Sequence, residues 1–189
     1  MIRRFILTLF LVLGTVLTIT PSGAASTEAL SLKNAVASHG ANVIFIRHAL
    51  APGYGDPDDF DIADCSTQRN LDATGRQQAR ELGQLFQDSG LKINAIFSSR
   101  WCRCQDTATE MKIGSYETHD GLNSFFQDHV DRDETLRLLR QEFSATPPED
   151  LVLMITHQVV IQAITGISPR SGGMVLFNSK TDQSVRFNP

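Results

Sequence analysis

The chain has little of what most often announces a function outright. Its 189 residues hold three cysteines, one tryptophan and two tyrosines. Three is an odd number, so at most one intramolecular disulfide forms and one thiol is left over. No C-x-x-C or H-x-x-x-H spacing accompanies the cysteines, which argues against a metal site. No G-x-S-x-G elbow surrounds Ser98 or Ser99, so the usual setting of a serine nucleophile is missing. Internal repeats, low-complexity tracts and signs of a second domain are absent as well. Positive charge is in deficit, with 17 Lys and Arg against 21 Asp and Glu for a formal net charge of −4. An acidic chain whose basic residues are local is poorly suited to coating nucleic acid or an anionic membrane.

Long hydrophobic runs are scarce too, and the prominent one lies at the start. Met1-Ile2-Arg3-Arg4 is a basic opening, Phe5 to Ile19 is an apolar run of fifteen residues, and Pro21-Ser22-Gly23-Ala24-Ala25 offers small residues for cleavage before Ser26. The run is short of the ~20 residues that span a bilayer. Residues 1–25 therefore read as a signal peptide and 26–189 as one domain, with an uncleaved anchor as the alternative. No cysteine stands at the cleavage site, which argues against a lipoprotein. The expectation is a periplasmic or secreted bacterial protein with no stable membrane insertion after cleavage. Removing Arg3 and Arg4 from a net charge of −4 leaves −6. The remaining 164 or so residues suffice for an ordinary single core.

Export would place Cys65, Cys102 and Cys104 in an oxidising compartment. A bridge between Cys102 and Cys104 would close a very small, strained ring. Cys65 with Cys102 or Cys104 is the better pairing, and Cys65–Cys102 is the pair carried forward. Either would tie the loop after the first strand to the segment around residue 100. Three reduced thiols, or a metal cluster that the spacing argues against, are the alternatives.

Periodicity places a short helix over 28–39 and a β-rich run at 43–47, with a long irregular stretch over 49–70. A loop of that length inside a compact domain is usually functional. Ala79, Leu82, Leu85 and Phe86 recur at helical spacing between Asp72 or Thr74 and Asp88, and Gly90 supplies the stop. A strand at 94–98, a helix from Arg100 to Met111, a short strand at 115–118 and a loop over 119–132 follow. A helix over 133–143, a buried strand at 151–156, a helix over 159–165 and a hairpin pairing 174–177 with 184–187 complete the chain. Alternating strands and helices with continuous apolar strands predict a three-layer α/β/α sandwich with a largely parallel central sheet.

Three of these strands end in basic residues. Val43 to Ile46 runs into Arg47 and His48, Ala95 to Ser99 is followed by Arg100 and Arg103, and Leu151 to Thr156 ends at His157. Open α/β sheets place ligands outside the carboxyl ends of their strands, so these residues can share one pocket. Two histidines and two arginines in one cleft describe a site for a dianion, with one imidazole available as a nucleophile. The helix after His157 would add backbone N–H groups aimed at the anion.

The same residues carry a family resemblance. Phe45-Ile46-Arg47-His48-Ala49 resembles the RHG signature of the histidine phosphatase superfamily, which has a phosphoglycerate-mutase-like fold. Leu71-Asp72-Ala73-Thr74-Gly75-Arg76-Gln77-Gln78-Ala79 is similar to its LTxxGxxQA stretch, Ser98 to Ala108 to its SSPLxRAxQTA stretch, and Ile155-Thr156-His157-Gln158 to its VTHG element. The resemblance implies that His48 is the nucleophile that becomes phosphohistidine, that Arg47 and Arg103 bind the phosphoryl oxygens, and that His157 completes the pocket. Arg100, Asn123 and Gln158 are the further substrate-binding candidates. Ser98 and Ser99 are expected to cap the helix that carries Arg103. No cofactor or metal is implied.

Two departures stand out. Ala49 replaces the signature glycine, and Gly121 to Phe126 lacks the family's glutamate general acid. Asp120 and Asp128 are the nearby carboxylates to protonate a leaving oxygen. Loop 49–70 is rich in aspartate and should wall the pocket, with its acids turned outward if charged substrates are to enter. The expectation is a phosphomonoester hydrolase acting on a phosphorylated small molecule or an envelope glycan, with no nucleic-acid partner. The alternative is a non-catalytic phosphate- or anion-binding domain of the same fold.

Overall fold

A computed structural model describes residues 23–188, with side chains from Thr27 onward. The expected export segment lies outside the described residues, apart from the backbone of Gly23–Ala25, which opens the first helix. The elements run α1 (Gly23–Ser38), β1 (Val43–Arg47), α2 (Ala73–Ser89), β2 (Ala95–Ser98), α3 (Cys102–Met111), β3 (Glu117–Thr118), α4 (Arg132–Ala145), β4 (Val152–Thr156), α5 (Gln158–Thr165), β5 (Met174–Asn178) and β6 (Gln183–Phe187). The six strands form one sheet in the order β3-β2-β4-β1-β5-β6. The pairs β3–β2, β2–β4 and β4–β1 are parallel, whereas β5 and β6 are antiparallel additions.

The continuous apolar runs of β1 and β4 follow from their central place, since helices cover both faces of the sheet. Ile44 and Ile46 of β1 pack toward α1, α2 and α3, among Leu32, Ala79, Leu82, Phe86 and Met111. Val43 and Phe45 point the other way, onto Leu139 and Phe143 of α4 and Val160 and Ile161 of α5. The period-two alternation of a strand thus divides one short sequence between two cores. The sandwich expected from the sequence is present in three layers.

Helix α2 begins where the Asp72 carboxylate accepts from the Gly75 N–H (2.7 Å) and ends at Gly90 in the left-handed conformation. Its neighbour lies very close. A Cβ built on Gly83 would stand 1.9 Å from the Met111 carbonyl oxygen, so only glycine lets α2 and α3 approach to this distance. Helix α3 starts two residues later than expected. Ser99 stays in register with the sheet through Ser99 N–H to Ile155 O (2.9 Å), and Trp101 remains extended. The first helical amide, Cys102 N–H, donates to Gln68 Oε1 (2.9 Å) from the distant loop, which serves the helix start in place of a local cap. Cys65 and Cys102 form a disulfide between the same two segments, and Cys104 is a buried free thiol.

Candidate active site

Strand register assembles the site. Arg47 pairs with Thr156 and Ser98 with Ile155, so β1, β4 and β2 end nearly level. His48, His157 and Ser99 come immediately after these ends, and His48 N–H extends the ladder to Thr156 O (2.9 Å). Residues more than a hundred positions apart thereby share one wall. A cavity of about 270 Å³ opens there, lined by Arg47, His48, Arg69, Arg103, His157 and Gln158 together with Tyr54, Ser124 and Phe126.

His48 is 2 % exposed, and its Nδ1 lies 2.8 Å from the Ala49 carbonyl oxygen. A carbonyl only accepts, so Nδ1 carries the proton and Nε2 keeps its lone pair. Burial, reinforced by the charge of Arg103, holds the His48 pKa well below the usual histidine range. The imidazole is therefore neutral and basic at Nε2. Ala49 does not strain this arrangement. It is absent from the positive-φ residues among those described, it is fully buried, and its N–H donates to Thr107 Oγ1 (3.0 Å). Thr107 in turn donates to Arg103 O (2.7 Å), linking α3 to the turn beside His48.

His157 stands 5.4 Å from His48, ring centre to ring centre, at 63°. Its Nε2 is 2.9 Å from Ser99 Oγ and 3.5 Å from the Cys104 sulfur. Burial, then Arg103 and the neighbouring His48, keep its pKa low as well. Ser99 is thus a partner of His157 rather than a helix cap, and Ser98 Oγ turns back to the Ser99 carbonyl. The Cys104 thiol is pushed up to about 12, chiefly by burial, so it stays protonated and is no nucleophile.

The arginines are held from behind. Arg47 Nη1 donates to Gln158 Oε1 (2.8 Å) and Pro169 O (3.2 Å). Arg103 grips Asp56 with both terminal nitrogens, at 2.7 and 3.1 Å, in an ion pair whose two side chains are each 4 % exposed. The Nε groups of both Arg47 and Arg103 are buried without a partner. Buried N–H groups of charged side chains are costly to leave unpaired, and an anion in the cavity is the natural complement.

Arg69 was not foreseen from the sequence. Its Nε donates to Gly55 O (2.9 Å) and its Nη1 to Ala51 O, and it faces the cavity beside Arg103. The available signal was that it is the lone basic residue between positions 49 and 70. Asp56 corrects another expectation, because this loop acid is turned inward. Burial alone would raise its pKa, but hydrogen bonds and charge from Arg103, with the Arg69 N–H and the Trp101 indole, hold it below the usual aspartate value.

Other candidates fall outside the cavity. Asn123 is buried and fully engaged, accepting from Arg100 N–H (2.9 Å) and Ser99 Oγ (3.2 Å) and donating to Asp120 Oδ1 (3.0 Å). Arg100 sits 3.7 Å from Asp120 on the wall of a separate, larger hollow. Asp128 is exposed on a tight turn with φ of 58°. None of these four lines the cavity beside His48: Asp120, Asn123 and Asp128 belong to the chain between β3 and α4, and Arg100 to the turn between β2 and α3. Among the described residues that line the site cavity there is no carboxylate.

The largely parallel six-stranded sheet between two helical layers is a phosphoglycerate-mutase-like fold, with a neutral histidine and arginines at its carboxyl edge. Residues 43–126 match the family model described as the histidine phosphatase superfamily (branch 1). Similar solved structures include the mycobacterial glucosyl-3-phosphoglycerate phosphatase in complex with VO3, at 14 % identity and TM-score 0.55, covering 78 % of this chain and 97 % of that one. A putative alpha-ribazole-5'-P phosphatase from Escherichia coli aligns at 15 % identity and TM-score 0.54 over 77 % and 93 % of the two chains. The protein histidine phosphatase SixA with tungstate aligns at 16 % identity and TM-score 0.52 over 77 % and 94 %. No curated protein matches the sequence.

Proposed function

We propose that the protein hydrolyses phosphomonoesters through a phosphohistidine formed on His48. The observation that carries this reading is the neutral His48, with Nδ1 tied to the Ala49 carbonyl, in a cavity lined by Arg47, Arg69 and Arg103. In the first step Nε2 attacks phosphorus, the bond from phosphorus to the leaving oxygen breaks, and that oxygen takes a proton from water. In the second step water attacks the phosphohistidine, the P–N bond breaks and phosphate leaves. The arginines counter charge on the three equatorial oxygens, so the protein's contribution is positioning and electrostatics. Gln158 and Val159, at the start of α5, bring a helix N-terminus to the same anion.

With no carboxylate lining the cavity, water is the proton source, and esters with good leaving groups are favoured. The signal-like opening supports an exported protein acting on envelope-linked or small phosphate esters, without a nucleic-acid partner and without stable membrane insertion once the leader is removed. Tungstate and VO3 in two of the similar structures are in line with an oxyanion site.

The test is turnover of p-nitrophenyl phosphate by the purified protein between pH 5 and 7, beside His48→Ala. A rate that falls to background in His48→Ala, with acid-labile phosphate trapped on His48, is the expected outcome. A His48→Ala protein that keeps the rate overturns the mechanism. A folded wild-type protein that binds vanadate without turnover would instead mark an anion-binding domain.

A further inference from the structure

Loop 49–70 delivers one carboxylate to the interior, and its surroundings are unusually complete. Asp56 Oδ1 accepts from Arg103 Nη1 (2.7 Å) and the Arg69 N–H (3.0 Å), while Oδ2 accepts from Arg103 Nη2 (3.1 Å) and the Trp101 indole (3.0 Å). A carboxylate has about four acceptor sites, and all are used. Its backbone is clamped as well. Asp56 N–H donates to Gln127 Oε1 (2.7 Å) and Asp56 O accepts from Gln127 Nε2 (3.2 Å). Gln127 does this from a left-handed conformation (φ 68°), a strained setting that the surrounding contacts must sustain. Gly55, itself at φ 69°, leaves room for it, since a Cβ there would lie 2.8 Å from Gln127 Oε1.

Arg103 lines the cavity and Asp56 does not, so the carboxylate holds the guanidinium from its outer side. One edge of the fork is occupied, and the remaining Nε is buried and unpartnered. A planar guanidinium recognises phosphate through a fixed edge, so its orientation decides whether the contact is made. The net charge is also set. Arg47, Arg69 and Arg103 against one Asp56, with both imidazoles neutral, leave +2 to face a phosphomonoester dianion.

We infer that Asp56 is a positioning residue, which orients Arg103 so that its free edge meets the phosphoryl group. The inference rests on the phosphatase reading for what Arg103 binds. Its test is a double-mutant cycle on the full protein with Asp56→Asn, Arg103→Ala and their combination, read by vanadate affinity in calorimetry and by kcat/KM on p-nitrophenyl phosphate. Asp56→Asn should weaken vanadate binding by about tenfold or more, as expected for losing hydrogen bonds to a charged group. Because Asp56 acts through Arg103, the double variant should be no worse than Arg103→Ala, and Asp56→Glu should recover part of the loss.

Asp56→Asn binding within twofold of wild type, penalties that multiply in the double variant, or a wild type that binds no vanadate each overturn the inference. If Asp56→Asn does not fold, Asp56→Ser takes its place in the cycle under the same criteria. A wild type that binds vanadate but shows no turnover refutes the phosphatase reading alone, and the binding cycle still decides the role of Asp56.

Discussion

His48 shows how one side chain acquires its chemistry from burial and a single hydrogen bond. The Ala49 carbonyl fixes the tautomer, while burial and Arg103 keep the ring from protonating. The consequence is a specific pH profile. A histidine with an ordinary pKa near 6.5 would lose half its nucleophile at about that pH. For His48 the acid limb of kcat/KM should lie well below 6.5, after correction for substrate ionisation. A limb centred at 6.5 in stopped-rate assays would contradict the neutral, buried imidazole. At this scale the sequence was most informative for Arg47, His48, Arg103 and His157. Arg47, His48 and His157 lie at the ends of short, largely apolar strands and Arg103 on the first turn of the helix after another, where position along the chain dictates position in space. Asp56 and Arg69 were not readable in the same way. Their placement depends on turns with positive φ and on hydrogen bonds to Gln127, Trp101 and backbone carbonyls across the fold. The general acid was sought among the acids after β3, and the fold turns Asp120 and Asp128 away from the cavity.

Among the elements, loop 49–70 and helix α3 behave as one unit. Gln68 serves the first amide of α3, Asp56 binds Arg103 on its first turn, and Cys65 is bonded to Cys102. This explains why the helix start was misplaced by two residues: local capping signals at Ser98 and Ser99 were outweighed by a partner 34 positions away. It also gives the disulfide a measurable role. The crosslink closes 37 positions of sequence, for which loop-closure entropy predicts a contribution of about 4 kcal/mol. Replacing Cys65 and Cys102 by serine should lower the unfolding free energy by up to that amount in urea titrations. The anion site should weaken at the same time, since Arg103 follows Cys102 directly. Equal stability of the serine variant and the oxidised protein would mean that packing and hydrogen bonds alone hold the loop.

For the molecule as a whole, the three-layer fold keeps two ionisable rings dry at the carboxyl edge of its sheet. His48 and His157 are both neutral when folded and take up protons freely only when unfolded. A folded pKa below the unfolded one means that the unfolded chain binds more protons as pH falls. The associated stability is therefore complete above about pH 6.5 and is lost progressively below it, toward the folded pKa values. Each ring can contribute a slope of up to about 1.4 kcal/mol per pH unit within that window. Asp56 adds to the loss at lower pH. Its folded pKa is depressed, so its contribution is present above the ordinary aspartate value of about 3.9 and disappears as pH drops further. Urea unfolding between pH 8 and 4 should thus show a plateau followed by a steep decline that begins near 6.5. Vanadate or phosphate should oppose the decline, because ligand held by the folded state alone shifts the balance by mass action. His157→Gln, which keeps a polar side chain and removes one titrating ring, should make the decline about half as steep, and an unchanged slope would place the acid sensitivity in other residues.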